Sequence, residues 1–129
     1  MDQLLDRARE ALNRAVVPYS AYPVGAAIET ASGDVYTGAN IEIANYSNSL
    51  HAEEVALARA VMDGHTEFTG IAVSTAGRDG TTPCGMCRQT LVEFAGPSFE
   101  VLVDGPDGPV HYELGELLPA AFTGEQLGD

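Results

Sequence analysis

The order of elements legible in this sequence predicts a layered α/β domain, one sheet covered by helices. Three observations carry that expectation. Residues 2–15 place Leu4, Leu5, Ala8, Leu12 and Ala15 at helical spacing, and Pro18 closes the segment. Two later stretches, "HAEEVALARAVM" (51–62) and "CGMCRQTLVEFAG" (84–96), are built from helix formers and end at Asp63-Gly64 and at Gly96. Between and after them lie short apolar runs bounded by turn residues, the pattern of strands.

In chain order, "YPVGAAIET" and "DVYTGANIEI" are two runs separated by "ASGD", a Ser-Gly-Asp cluster that joins hairpin strands. "TGIAVST" reads as a buried strand, and "FEVLVDG" and "PVHYEL" as the last two. The helix at 84–96 is entered behind Pro83, a residue suited to a helix start. Helix, two strands, helix, strand, helix, two strands gives five strands and three main helices. The 129 residues, without repeats, low-complexity tracts or long linkers, suffice for a single domain over 1–129.

Charge narrows the functional classes. Asp and Glu total 19 against 6 Lys and Arg, giving a net charge of −13, and all six cations are arginine. Such a field repels phosphate backbones and anionic lipid, so no nucleic-acid or membrane partner is expected and a neutral small molecule suits the chain better. No apolar run approaches a membrane span, and "MDQLLDRARE" lacks the features of a secretory signal, so the expected location is the cytoplasm.

Both cysteines lie in "PCGMCRQ", as Cys84 and Cys87. In a reducing compartment a C-x-x-C pair serves metal binding or thiol redox chemistry rather than a structural disulfide. The Gly-Met spacer and the lack of a flanking aromatic argue for metal. At i and i+3 in a helix's first turn both sulfurs reach one ion, and the positive end of the helix dipole favours the thiolate that ligates zinc. A further ligand must come from His51, His65 or His111. His51 opens the helix at 51–62, where Ser49 is the expected cap, and two facing helix starts make a pocket. His65 follows a helix stop and His111 sits among late strand residues; both read as surface or edge histidines.

Glu53, two residues after His51, places a carboxylate beside that ion without spending it as a ligand. A catalytic zinc keeps three protein ligands and a water of lowered pKa, and such a carboxylate takes and returns its proton. Glu54 reads as a solvated or interface charge. H-x-E followed, after a strand, by P-C-x-x-C is the pattern of the zinc nucleobase deaminases.

The sequence resembles the cytidine deaminases, most closely the small single-domain homotetrameric type. "YSAYPVGAAI" is similar to their Y-S-x-F-P-V-G-A-A-L segment, "GANIEIANYS" to G-x-N-I-E-N-A-S-Y-G, "PCGMCRQ" to P-C-G-x-C-R-Q and "ELLPAAF" to L-L-P-x-x-F. The resemblance implies a three-layer α/β/α domain with a central mixed five-stranded sheet, and hydrolysis of cytidine and 2′-deoxycytidine to uridine and 2′-deoxyuridine. It implies Zn2+ on His51, Cys84 and Cys87, with Glu53 as proton shuttle. Asn40 and Glu42 would hold the ribose 3′-hydroxyl, in a stretch running to Tyr46. Backbone groups of Ala52 would hold the pyrimidine edge and Tyr22 would face the base. Phe122 would close a neighbouring subunit's site in a homotetramer with shared active sites.

Three departures stand out. "HAEE" replaces the usual C-A-E-R, so a neutral imidazole stands where a third thiolate would be, and Glu54 where its compensating arginine would be; the two changes offset in charge. Tyr22 replaces Phe, adding a hydroxyl that needs a partner. "ANYSNSL" differs from A-S-Y-G-L-T-N. A blasticidin-type nucleoside deaminase, a nucleic-acid editing deaminase and a non-catalytic zinc module closed by His65 or His111 are the competing readings, the editing one opposed by the acidity.

Overall fold

The structure, a computed structural model, describes residues 2–128. Helix α1 (Asp2–Ala11) is followed by strands β1 (Val24–Thr30) and β2 (Val35–Ala39), helix α2 (Ala52–Met62), strand β3 (Phe68–Thr75), helix α3 (Gly85–Phe94), strands β4 (Glu100–Gly105) and β5 (Gly108–Glu113), and the short helix α4 (Leu114–Leu117). The five strands form one sheet in the order β2-β1-β3-β4-β5, antiparallel except for the parallel pair β3–β4. It is the expected mixed sheet.

Side-chain alternation along the strands divides the core into two layers. On one face Ala27, Ala72 and Leu102 pack against Leu4, Leu5 and Ala8 of α1. On the other, Ala26, Ile28, Ile71, Val73, Val101 and Val103 pack against Ala52, Ala56, Leu57 and Ala60 of α2 and Leu91 of α3. Helices therefore cover both faces, completing the α/β/α arrangement. Among the described residues no helix is long and apolar enough to cross a membrane.

Two glycines let helix backbone lie directly on the sheet. A Cβ at Gly25 would stand 2.1 Å from the Ala8 carbonyl oxygen, and one at Gly38 would stand 2.5 Å from both the Ala52 carbonyl and the Ala56 nitrogen. Only a residue without a side chain permits either approach. Gly38 thus seats the first turn of α2, the turn that carries the site.

Two elements end four residues short of expectation. Helix α1 ends at Ala11, and residues 12–14 tighten into a 3-10 turn, because the chain must leave the helix for Val16 to donate to the Asn40 carbonyl at 2.9 Å. Strand β2 ends at Ala39 rather than Ile43: Ile41 pairs instead with Leu50 through reciprocal bonds of 2.9 and 2.8 Å, and Glu42 N–H donates to Val16. This small stack folds residues 40–50 back toward the start of α2.

Candidate active site

His51 is the N-cap of α2, Cys84 the N-cap of α3, and Cys87 lies in the first turn of α3. The two helix starts converge. His51 Nδ1 lies 3.1 Å from Cys87 Sγ and 3.4 Å from Cys84 Sγ, and the ligand atoms of all three residues lie within 4.8 Å of one another. One tetrahedral zinc with ordinary Zn–N and Zn–S bonds requires N···S separations of roughly 3.5 Å, so the donor set fits that ion. Among the described residues no other His, Cys, Asp or Glu joins the cluster. His65 is turned to the Tyr36 hydroxyl, at 3.1 Å, and to Asp34, and His111 sits on the edge strand β5 opposite Leu102. Neither closes the site with a fourth protein ligand, as a structural zinc requires.

Ser49 does not cap α2; its hydroxyl accepts from the Ile43 N–H at 2.9 Å. Glu54 takes up the helix start, accepting the His51 backbone N–H at 2.9 Å, one half of a capping box. The carboxylate read as a solvated or interface charge therefore holds the backbone of a metal-ligand candidate.

Glu53 is only 6% exposed. Burial pushes its carboxyl above the usual carboxylate range, opposed by its own backbone amide and by His51 and Cys87. Burial likewise pushes the Cys87 thiol up, with Glu53 adding to the effect. A bound cation reverses that preference by favouring thiolate. His51, Ala52, Glu53 and Cys84 line a cleft of about 230 Å³, completed by Val24, Asn40, Val73 and three threonines, Thr75, Thr81 and Thr82.

The other candidate residues are placed less uniformly. Asn40 lines the cleft, but its amide is engaged: Oδ1 accepts from Val24 N–H at 2.9 Å and Nδ2 donates to the Tyr22 carbonyl at 3.0 Å. Glu42 accepts from the Tyr19 and Ser20 amides, each at 3.0 Å, and from the Ser20 hydroxyl, contacts that hold its pKa below the ordinary value. Tyr46 is exposed, its ring edge-on to Tyr19 with centroids 5.8 Å apart. Tyr22 directs its hydroxyl to Asp79 and Thr81. Phe122 is 56% exposed, and only its carbonyl is engaged, accepting from Gln89. Within one chain, Glu42, Tyr46, Tyr22 and Phe122 stand outside the cleft lining.

Sequence reasoning missed the threonine wall and Arg88. The Arg88 guanidinium donates to the carbonyls of Pro83 and Leu117 and to the Thr82 hydroxyl, at 2.6–2.7 Å. It fixes the approach to Cys84. Its place one residue after Cys87, in a chain with few cations, was the available signal.

The family described as the cytidine and deoxycytidylate deaminase zinc-binding region matches residues 1–102, a span holding all three metal-ligand candidates and Glu53. A cytidine deaminase of Sporosarcina psychrophila is 38% identical over 128 residues, covering 98% of this chain and 94% of that protein. One of Halalkalibacterium halodurans is 38% identical, covering 98% and 96%. Among solved structures, the cytidine deaminase of Burkholderia pseudomallei superposes with a TM-score of 0.89 at 37% identity, covering 94% of this chain and 98% of that one. That of Mycobacterium tuberculosis gives 0.82 at 36%, covering 94% and 95%. With an open His/Cys/Cys site at two converging helix starts and these likenesses along nearly its whole length, the chain belongs to the zinc-dependent cytidine and deoxycytidylate deaminase family.

Proposed function

We propose that residues 1–129 form one cytoplasmic catalytic domain that hydrolyses cytidine and 2′-deoxycytidine to uridine and 2′-deoxyuridine, releasing ammonia. The observation that carries this is the buried Glu53 carboxyl beside a three-ligand metal site at a cleft of about 230 Å³. Zinc, when bound, lowers the pKa of a water so that it is nucleophilic at neutral pH.

The chain's residues supply the rest. The first turn of α2 holds Glu53 inside the cleft, where it takes a proton released from water and delivers it to N3 of the base as oxygen adds at C4. The same carboxylate then takes the proton from the C4 hydroxyl and hands it to the amine, so that ammonia departs as the C4–N bond breaks and a C4 carbonyl is left. Burial raises its affinity for the proton, which suits a group that must both take and give one. Ala52, buried at the cleft wall, offers backbone groups to the pyrimidine edge.

Asn40 and Glu42 are the proposed ribose-binding pair, with Tyr46 completing the stretch. Their present bonds tie the segment 19–24 to the cleft, so ligand binding would exchange or share those partners. Tyr22 would face the base and Phe122 a neighbour's cleft in a homotetramer. An apolar groove of about 600 Å³ along α2 and α3, lined by Leu50, Val55, Ala58, Met62 and Phe94 among others, supports self-association, as does Met62 being 83% exposed. The test is incubation of the zinc-loaded chain with a panel of cytosine nucleosides, scored for ammonia. Release from cytidine and 2′-deoxycytidine is expected; release from neither would overturn the assignment.

A further inference from the structure

The segment between β3 and α3 carries an acidic residue that the mechanism does not use. Asp79 gathers four donors: the Thr75 hydroxyl at 3.1 Å, the Thr81 hydroxyl at 2.6 Å and the Thr81 N–H at 3.3 Å reach Oδ1, and the Tyr22 hydroxyl reaches Oδ2 at 3.1 Å. Two of these donors, Thr75 and Thr81, line the cleft. The third side chain, Tyr22, belongs to the segment entering β1, and it takes part through its hydroxyl. Ala76 N–H donates to the Pro23 carbonyl alongside, so the two segments run together past the ends of β1 and β3.

The backbone on both sides of the Tyr22–Asp79 bond is strained. Ala21 has φ +55° and Arg78 φ +46°, left-handed conformations that a Cβ disfavours, and each immediately precedes one partner of the bond. Such residues persist where surrounding contacts over-determine them, and they concentrate at functional sites. The bonds to Thr81, Thr75 and Tyr22 hold the Asp79 carboxyl down at about 2, so it is an acceptor across the physiological range.

The chemistry at the cleft follows from the proton count. Thr75 and Thr81 give their protons to Asp79 and keep lone pairs for a ligand, whereas Thr82 accepts from Arg88 and keeps its own proton. The wall therefore offers acceptors and one donor, matched to sugar hydroxyls or an amine. We propose that Asp79 is a positioning residue that joins Tyr22, Thr75 and Thr81 into one unit and thereby sets how tightly nucleoside is held, an inference that rests on the cleft being the nucleoside site. Because these bonds are exposed, water competes with them in the free chain. Their effect lies in preorganising the wall before ligand arrives.

The experiment compares wild type, Tyr22→Phe, Asp79→Asn and the double variant, each zinc-loaded, by steady-state cytidine kinetics and metal content. Each single change should raise KM about three- to tenfold, the net worth of one hydrogen bond made in competition with water, with kcat within about twofold and zinc unchanged. The double variant should be no worse than Asp79→Asn, since both changes break the same unit. Unchanged KM in both single variants, losses that multiply in the double, or a fall in kcat accompanied by lost zinc would each overturn the role. Tyr22→Phe removes one exposed hydroxyl and keeps the test decisive if Asp79→Asn does not fold. A wild-type chain that leaves cytidine untouched overturns the functional reading itself, whereas an active wild type with unaltered variants overturns Asp79 alone.

Discussion

The Glu54 carboxylate accepts the backbone N–H of His51 at 2.9 Å, so the residue three positions into α2 holds the metal ligand that opens the same helix. A helix start leaves its first amides without partners, and a Glu or Gln at this position satisfies one of them. Glu54→Gln should keep the bond and change zinc affinity and turnover little. Glu54→Ala should cost about 0.5–1.5 kcal/mol of stability, the net worth of one hydrogen bond, and weaken zinc binding measurably in a chelator competition. Equal zinc affinity in Glu54→Ala and wild type would show that the bond does not position His51.

The same residue carries the charge relation with His51. His51→Cys alone adds a thiolate next to Glu54, whereas His51→Cys with Glu54→Arg supplies the cation that a third thiolate calls for. The double variant should retain more turnover than the single one, the charge gain outweighing the loss of the Glu54 bond to the backbone N–H of residue 51. Equal losses would show that charge is not what couples the two positions.

Gly38→Ala should damage the site from the opposite side of α2. The added methyl would meet the Ala52 carbonyl and Ala56 nitrogen at 2.5 Å, backbone atoms that move only with the helix. The expected result is a loss of about 1–3 kcal/mol together with weakened zinc binding, because His51 moves with the first turn. Wild-type zinc affinity in a folded Gly38→Ala protein would contradict this seating.

Asp104 on β4 accepts from Arg9 of α1 at 2.8 and 2.9 Å and from Ser74 at 3.0 Å, with the Arg78 guanidinium 3.5 Å away. Its side chain is 2% exposed, and the Arg9 bonds hold its carboxyl below the usual range. Ionised Asp104 therefore stabilises the fold above the unfolded pKa of about 3.9, and that contribution disappears as pH falls through the lower folded value. Asp104→Asn should lose about 1–3 kcal/mol near neutrality, allowing for the partly exposed arginine, and should show a flatter acid limb in thermal melts. Identical acid limbs in the two proteins would contradict the pairing.

Much of the site was legible because its chemistry is local. His51 with Glu53, and Cys84 with Cys87, are each spaced within one helix turn, so short motifs give both identity and geometry. The sheet was legible from apolar runs that alternate faces, as Ile71, Ala72 and Val73 do. What escaped depends on partners distant in sequence. Asp79 acquires meaning from Tyr22, 57 positions away, and Arg88 from Leu117, 29 positions away. Strand β2 was read four residues too long because Ile41 has strand chemistry but pairs with Leu50, outside the sheet. The capping bond of Glu54 was not legible for a different reason: a first-turn glutamate caps, is solvated or meets an interface with the same residue type at the same spacing.

Phe122 tests the shared-site assembly. Phe122→Ala should raise KM for cytidine several-fold without altering zinc content, because the ring is exposed in its own chain and stands outside its own cleft. Light scattering should give a tetramer. A fully active monomer would remove the neighbour from the site.

The most direct measurement is uridine formed from cytidine by wild type and by Glu53→Gln, each verified to carry about one zinc per chain. The buried carboxyl serves more than one proton transfer, so Gln, of equal size but unable to shuttle a proton, should fold and keep zinc while turnover falls beyond the ~10²–10⁴ of a single general acid or base. Turnover of Glu53→Gln near that of wild type, or a zinc-loaded wild type that forms no uridine, would contradict the account.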